Sequence, residues 1–396
     1  MLFHFIFRSI STHTKPYLNP HFRYNGMFSF TTSTFSPSSN QYSFTRNYLI
    51  NSCGLSPKSA LLVSKDLDLS KSLNKPDSVL EFFKNQGFTD SQVSKLISRH
   101  PKVLLTDIEN TLLPRFNSLK SLGFSSKDIA AIVTVAPKGL LRKRPKETVL
   151  PCVSYLRSVL GSDDKVICAI KRHPLILTYD LKVYGAENIR FLLEQGVPEE
   201  NIAFTLAHQP RTFLTSVDRF KKIVENVKEM GFNPSKTRFL LAIQAVRGMS
   251  RSTWDNKLEL YKKWGLSEDD IFLAFERCPG FMMASVDKIS GILDFLVNTM
   301  GWEKSLIVQW PIVMCFSLEK RIIPRCLLYQ YLGEKGLTEK DDFCFNKWLM
   351  YTENKFLKFV VKRYEDEGPE LLKLYQKHLD EANRSTTSTP RKTDLI

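Results

Sequence analysis

A glycine that returns every 34 to 38 residues is the feature that most restricts what this chain can fold into. Gly87, Gly123, Gly161, Gly196, Gly231, Gly265, Gly301 and Gly336 keep that interval, and Gly54 extends it toward the N-terminus as a degenerate first member. The stretch from Gly123 to Pro137, GFSSKDIAAIVTVAP, shows what the glycine separates. Gly123 closes one helix, and Ser125 caps the next with Asp128 three residues on as its capping-box partner. Ile129, Ile132, Val133 and Ala136 then fall at i, i+3, i+4 and i+7, one apolar stripe on a 3.6-residue helix, and Pro137 ends it.

The same pattern recurs along the chain. Counted from the first apolar residue of each stripe, a proline arrives eight residues later: Val93 leads to Pro101, Val166 to Pro174, Ile202 to Pro210, Ile271 to Pro279 and, more weakly, Glu303 to Pro311. Phe239 leads instead to Arg247. Helix starts repeat with varied chemistry. Thr89 and Gln92, Ser267 and Asp270, and Thr338 and Asp341 form capping boxes, while Pro198 and Pro234 are expected near first turns, where a missing N–H costs nothing. After the proline comes a short apolar cluster such as Val103-Leu104-Leu105 or Phe281-Met282, expected to form a brief third helical turn under the pair. Pro114, Pro151 and Pro324 belong in a first turn or mark a bend.

A two-helix unit cannot hide its stripe alone and must stack on its neighbours. The expected fold is therefore all-α, a superhelical α-solenoid, right-handed or similar, of about 8 to 9 repeats. Length alone would suggest two or three domains, but the unbroken period favours one elongated array. Residues 48–340 are expected to carry the repeats, 341–382 to close the array with helices, and 383–396 to be a disordered tail.

Residues 1–47 are read as a disordered organelle transit peptide. Residues 1–65 contain no acid and six of the basic residues, with Arg8, Arg23 and Arg46 among many Ser and Thr. A mitochondrion is favoured over a chloroplast by the use of Arg, and no run approaches the apolar length of a membrane span. The net charge of +15 leaves the repeats moderately basic, which suits a polyanionic partner. Seven cysteines without a C-x-x-C or a pairing rhythm read as reduced, buried apolar residues.

The repeated unit, its spacing, the phrases SRHPKVLL, IKRHPLIL and AHQPRTFL, and the basic Ser-rich leader together resemble the mitochondrial transcription termination factor (mTERF) family. NYLINSCGLSPKSALLVSK and KPDSVLEFFKNQGF look like its plant organellar branch. The resemblance implies mTERF-type helical repeats whose basic concave groove holds organellar double-stranded DNA or RNA. The implied roles are in transcription termination or regulation, RNA splicing or ribosome assembly. No cofactor is expected, and a monomer is.

Cations gather where second helices end: Arg99, Lys102, Lys138, Lys171, Arg172, Arg211, Arg247, Arg251 and Arg277, with Arg142, Lys143 and Arg144 as the densest cluster. In a stacked array such positions form a row able to track phosphates, although each also complements the dipole of its own helix. His100, His173 and His208 recur near the prolines, but their places in separate repeats argue against one shared metal ion. No P-loop, dinucleotide fingerprint, zinc-protease or nucleophile-elbow motif is present, so no enzyme is expected. Two alternatives remain: a pentatricopeptide-like reader of single-stranded RNA, and a protein-binding helical-repeat scaffold.

Overall fold

Turning the chain through a sharp angle after a helix requires a left-handed residue, which glycine adopts without a Cβ clash. At Gly123 φ is +91°. Its N–H donates to Lys120 O (2.9 Å), and the Phe124 N–H reaches back to Leu119 O (3.3 Å), a Schellman closure. Phe124, the residue that follows, is buried. All nine periodic glycines, from Gly54 to Gly336, have positive φ.

The computed structural model describes residues 39–70, 74–137, 145–178, 181, 185–337, 345–364 and 367–388. Among these the helices in chain order are α1 (Ser39–Asn51), α2 (Pro57–Val63), α3 (Asn74–Asn85), α4 (Asp90–Arg99), α5 (Leu113–Ser121), α6 (Ser126–Val135), α7 (Pro145–Leu160) and α8 (Asp163–Arg172). There follow α9 (Gly185–Glu194), α10 (Glu199–His208), α11 (Val217–Glu229), α12 (Thr237–Gly248), α13 (Arg251–Lys263), α14 (Glu268–Arg277), α15 (Val286–Leu293) and α16 (Lys304–Gln309). The last are α17 (Ile323–Glu334), α18 (Phe345–Met350), α19 (Glu353–Arg363) and α20 (Gly368–Ser388). No strand occurs among the described residues, so the fold is all-α.

In five of the described repeats a first helix and a second helix are followed by a short 3-10 turn. The turns Pro101–Leu105, Pro174–Thr178, Pro210–Phe213, Pro279–Met282 and Pro311–Cys315 start at the periodic prolines. The proline has no N–H to continue the α-helix, so the chain tightens and drops its apolar residues beneath the pair. Ile129, Ile132, Val133 and Ala136 are buried as the stripe requires. The boxes at Thr89/Gln92, Ser125/Asp128 and Ser267/Asp270 are all formed; Thr338 and Asp341 lie outside the described residues.

Some local expectations hold and others are corrected. Pro198 is the N-cap of α10, immediately before its first turn, as expected. Pro234 precedes α12, in a turn where the Ser235 N–H donates to Asn233 Oδ1. Pro114 and Pro324 do occupy first turns, each following a π-helical turn, Ile108–Leu112 and Leu318–Ile322. Pro151 sits inside α7. With Arg247 in place of proline, α12 runs on to Gly248 and the 3-10 turn is lost. Where glycine and proline draw closer after Gly301, the second helix α16 shrinks to six residues. A helix already covers Ser39 to Asn51, across the boundary expected at residue 48, and α20 continues through Asn383 to Ser388, where a disordered tail was expected.

The chain divides into two compact units, residues up to Asn226 and from Val227 onward. In the first, second helices pack in series, α4 on α6, α6 on α8 and α8 on α10. In the second, α14 packs on α12 and α16, and α20 packs on α17 and α19. The closing helices surround an aromatic cluster of Trp348, Phe356, Tyr364 and Tyr375.

Buried polar hooks, invisible in the periodicity, fasten the turns to the first helices. Asn188 of α9 is fully buried and donates through Nδ2 to Phe213 O (2.9 Å) and Thr215 O (2.8 Å). Eight residues before its own glycine, as Asn188 is, Lys257 of α13 donates to Met282 O (2.8 Å), and burial lowers its pKa. Tyr261, stacked on Phe281, donates to Phe281 O (2.9 Å).

Candidate nucleic-acid interface

The cations that end the second helices fall into two groups. Members of the first tie one repeat to the next. Arg99, at the end of α4, donates from Nη1 to Thr134 O in α6 (3.0 Å). Arg277, at the end of α14, does the same to Val308 O in α16 (3.0 Å). In both cases the carbonyl belongs to the last turn of the following repeat's second helix, which has no intrahelical N–H to accept. The cation therefore complements its neighbour's dipole as well as its own.

Lys171, in the last turn of α8, pairs with Asp128 in the capping box of the repeat before (2.6 Å). That contact, with the Ser125 hydroxyl, holds the Asp128 carboxyl below the usual carboxylate range. Arg251 grips both carboxylate oxygens of Asp255 (2.9 and 2.8 Å), one turn along its own helix. Arg247 is half-buried and engaged. Lys304, which the sequence pattern did not single out, donates to Gly265 O (2.9 Å), another bond between repeats.

Members of the second group reach solvent. Lys102 and Arg211 each follow a periodic proline, and Arg172 ends α8; all three are exposed. They belong to the first compact unit, together with Arg99 and Lys171. Lys138, Arg142, Lys143 and Arg144 lie outside the described residues. Of the eight described positions six are exposed: Lys102, Arg172 and Arg211, and also Arg99, Lys171 and Arg277, which are bonded to a neighbouring repeat; Arg247 and Arg251 are half-buried.

Aromatic side chains at helical spacing were expected in the core, and most are there. Phe204 on α10 is 62% exposed and stacks with His208, their ring centroids 4.2 Å apart. Its position two residues after Ile202, off the apolar stripe, was the available signal. The His208 Nδ1 lies 2.8 Å from Phe204 O. No group of His, Cys, Asp and Glu suited to a metal ion occurs among the described residues. No described helix is long and apolar enough to cross a membrane.

The cysteines depart from expectation. Cys53, Cys152 and Cys326 are buried, but Cys168 and Cys278 are only partly so, and Cys315 is exposed.

A helical-repeat protein with second helices ending in cations is the class that fold and surface define. The mTERF family model matches residues 80–243 and 142–357, and the chain belongs to that family. It is 23% identical over 270 residues to the chloroplastic transcription termination factor MTERF8 of Arabidopsis thaliana, covering 66% of this chain and 51% of that protein. It is 23% identical over 261 residues to the mitochondrial factor MTEF18 of the same plant, covering 65% and 43%, and 22% identical over 256 residues to mitochondrial MTERF15, covering 64% and 48%. The chain thus spans about half the length of the curated relatives it matches.

Proposed function

We propose that this protein binds double-stranded nucleic acid in a plant organelle, through cations at the ends of its second helices, and regulates organellar gene expression. The observation that carries this reading is the exposed set Lys102, Arg172 and Arg211, held near Arg99 and Lys171 in sequence while those two are fixed to neighbouring repeats. An exposed cation on a rigid repeat meets a phosphate with little further loss of freedom, and an Arg already bonded through one nitrogen keeps other N–H groups for an anion.

Relatives named as transcription termination factors of chloroplasts and mitochondria support an organellar address and a role in transcription. A mitochondrial destination is preferred on the Arg-rich, acid-free opening of the sequence. The protein acts without catalysis, as a monomer, with no cofactor, and its contacts go chiefly to the phosphate backbone.

Binding of the full chain to a labelled DNA duplex and to structured RNA, measured across a salt series, tests this. Phosphate contacts from Lys102, Arg172 and Arg211 alone predict a slope of log K against log salt of about −2.7 on B-DNA, and each strut cation that joins them steepens it by about 0.9. Affinity indifferent to salt, or binding confined to unstructured single strands, would overturn the proposal.

A further inference from the structure

The thiols of Cys278 and Cys315 lie 3.9 Å apart. Cys278 leads into the turn Pro279–Met282 and Cys315 ends the turn Pro311–Cys315 of the following repeat; the two turns pack together. Gly280 leaves the space this requires: a Cβ there would stand 2.6 Å from the Cys315 sulfur. Cys315 is exposed and Cys278 partly so, which separates them from the buried Cys53, Cys152 and Cys326.

The surroundings distinguish the two sulfurs chemically. With Cys278 as the thiolate, the Cys315 S–H can donate to it, the N–H groups of Gly280 and Phe281 also favour that thiolate, and Arg238 adds positive charge. Together they bring Cys278 down to about 7, while the same contact pushes Cys315 up. Lys288 faces Cys315. Tyr261, nearby, is kept in its neutral phenol form by burial, and its hydroxyl is committed to Phe281 O. One sulfur is thus prepared as the nucleophile and the other waits beside it as the resolving thiol.

We propose that Cys278 and Cys315 are a peroxide-reactive dithiol that closes to a disulfide and staples together the two consecutive repeats that carry them. The Cys278 thiolate attacks one oxygen of hydrogen peroxide, breaking the O–O bond and releasing hydroxide, which takes up a proton to become water. The sulfenic acid so formed is attacked by Cys315, whose thiol proton leaves with the hydroxyl as a second water. Two thiols and one peroxide give one disulfide and two waters. The sulfurs must approach to about 2.05 Å, a movement open to the exposed Cys315 by side-chain rotation. The staple is independent of whether the protein binds nucleic acid.

The test uses the reduced full chain, treated with a small excess of hydrogen peroxide, alkylated, digested without reductant and analysed by mass spectrometry. The expected product is a peptide pair joined through Cys278 and Cys315, two hydrogens lighter than its parts and released by dithiothreitol. The unfolding midpoint should rise by about 5 °C on oxidation and return on reduction. In Cys315→Ser the joined pair and the midpoint rise should vanish, leaving on Cys278 a sulfenic acid trapped by dimedone. Gly280→Ala, which crowds the Cys315 sulfur but keeps both thiols, should slow the cross-link. The proposal is overturned if both thiols remain alkylatable after peroxide, if Cys278 pairs elsewhere, or if it passes to sulfinic acid with Cys315 still free.

Discussion

Replacing Arg325 by methionine should be among the most damaging single changes in the C-terminal unit. The side chain is fully buried, on α17, yet it carries a guanidinium. Nη1 donates to Trp348 O (2.6 Å) and Tyr351 O (2.8 Å), Nη2 donates to Glu353 Oε2 (2.8 Å), and the group lies 4.3 Å from the Phe356 ring centroid. Exchanging a buried ion pair for apolar groups is often neutral, because desolvation cancels the attraction. Here the acceptors are chiefly main-chain carbonyls where α18 ends and α19 begins, and no side-chain substitution removes them. Methionine fills much of the volume but leaves these carbonyls without their donor. Each charge-assisted bond is worth about 1.5–3 kcal/mol. Relief of the guanidinium's desolvation and of its unpaired Nε offsets part of the loss. A net cost of about 3–4 kcal/mol follows, which for a unit of this size lowers the unfolding midpoint by roughly 6–16 °C. Urea and thermal unfolding followed by circular dichroism would measure it. Arg325→Lys should recover only part of the loss, since one ammonium cannot span Trp348, Tyr351 and Glu353 as a planar fork does. A methionine variant within about 1 kcal/mol of the parent would refute the reasoning.

Three further outcomes are expected. Gly123→Ala places a side chain at φ +91° with its Cβ 3.2 Å from Ile167 Cδ1, and should cost about 1–2 kcal/mol in urea unfolding. Asp128 has a lowered folded pKa through Lys171 and Ser125, so its contribution is present above the ordinary carboxylate pKa and is lost as pH falls through the folded value; the stability gap between the parent and Asp128→Ala, read by denaturant titration, should narrow in acid. Lys102→Gln or Arg211→Gln should each reduce the salt slope of nucleic-acid binding by about 1 with unchanged unfolding midpoints, whereas Arg99→Gln should lower the midpoint as well, because it loses its bond to Thr134 O.

What the sequence disclosed was local. A glycine at the αL position, a Ser or Thr with its carboxylate or amide partner three residues on, and a proline that cannot extend a helix all act within a few residues of themselves, so a one-dimensional pattern displays them. Gly123, Ser125 and Pro210 were legible for that reason. Asn188, Lys257 and Arg325 were not: their acceptors lie 23 to 28 residues away and become neighbours only after the second helix folds back. The same applies to Arg99, whose carbonyl is 35 residues on. Counting cations near helix ends could not divide them between strut and solvent, and Arg251 proves to begin a first helix and not to end a second one. Pro234 stands farther from its helix start than Pro198 because a fixed φ suits both an N-cap and the turn before it.

The bonds between repeats bear on how such a surface could act. A repeat array draws its cooperativity from interfaces between neighbours. Here some of those interfaces are made by cations that also stand where a phosphate could arrive. Phosphate drawn to Arg99 can either share the guanidinium with Thr134 O or compete for it. Sharing is favoured because five N–H donors exceed what one carbonyl accepts. The ammonium of Lys171 is a more compact charge already paired with the Asp128 carboxylate, so an arriving phosphate would have to displace or crowd that pair. Binding should therefore leave the arginine struts in place and loosen the lysine one. Two positions equally cationic in sequence would then respond differently to the same ligand, one strut kept and the other weakened.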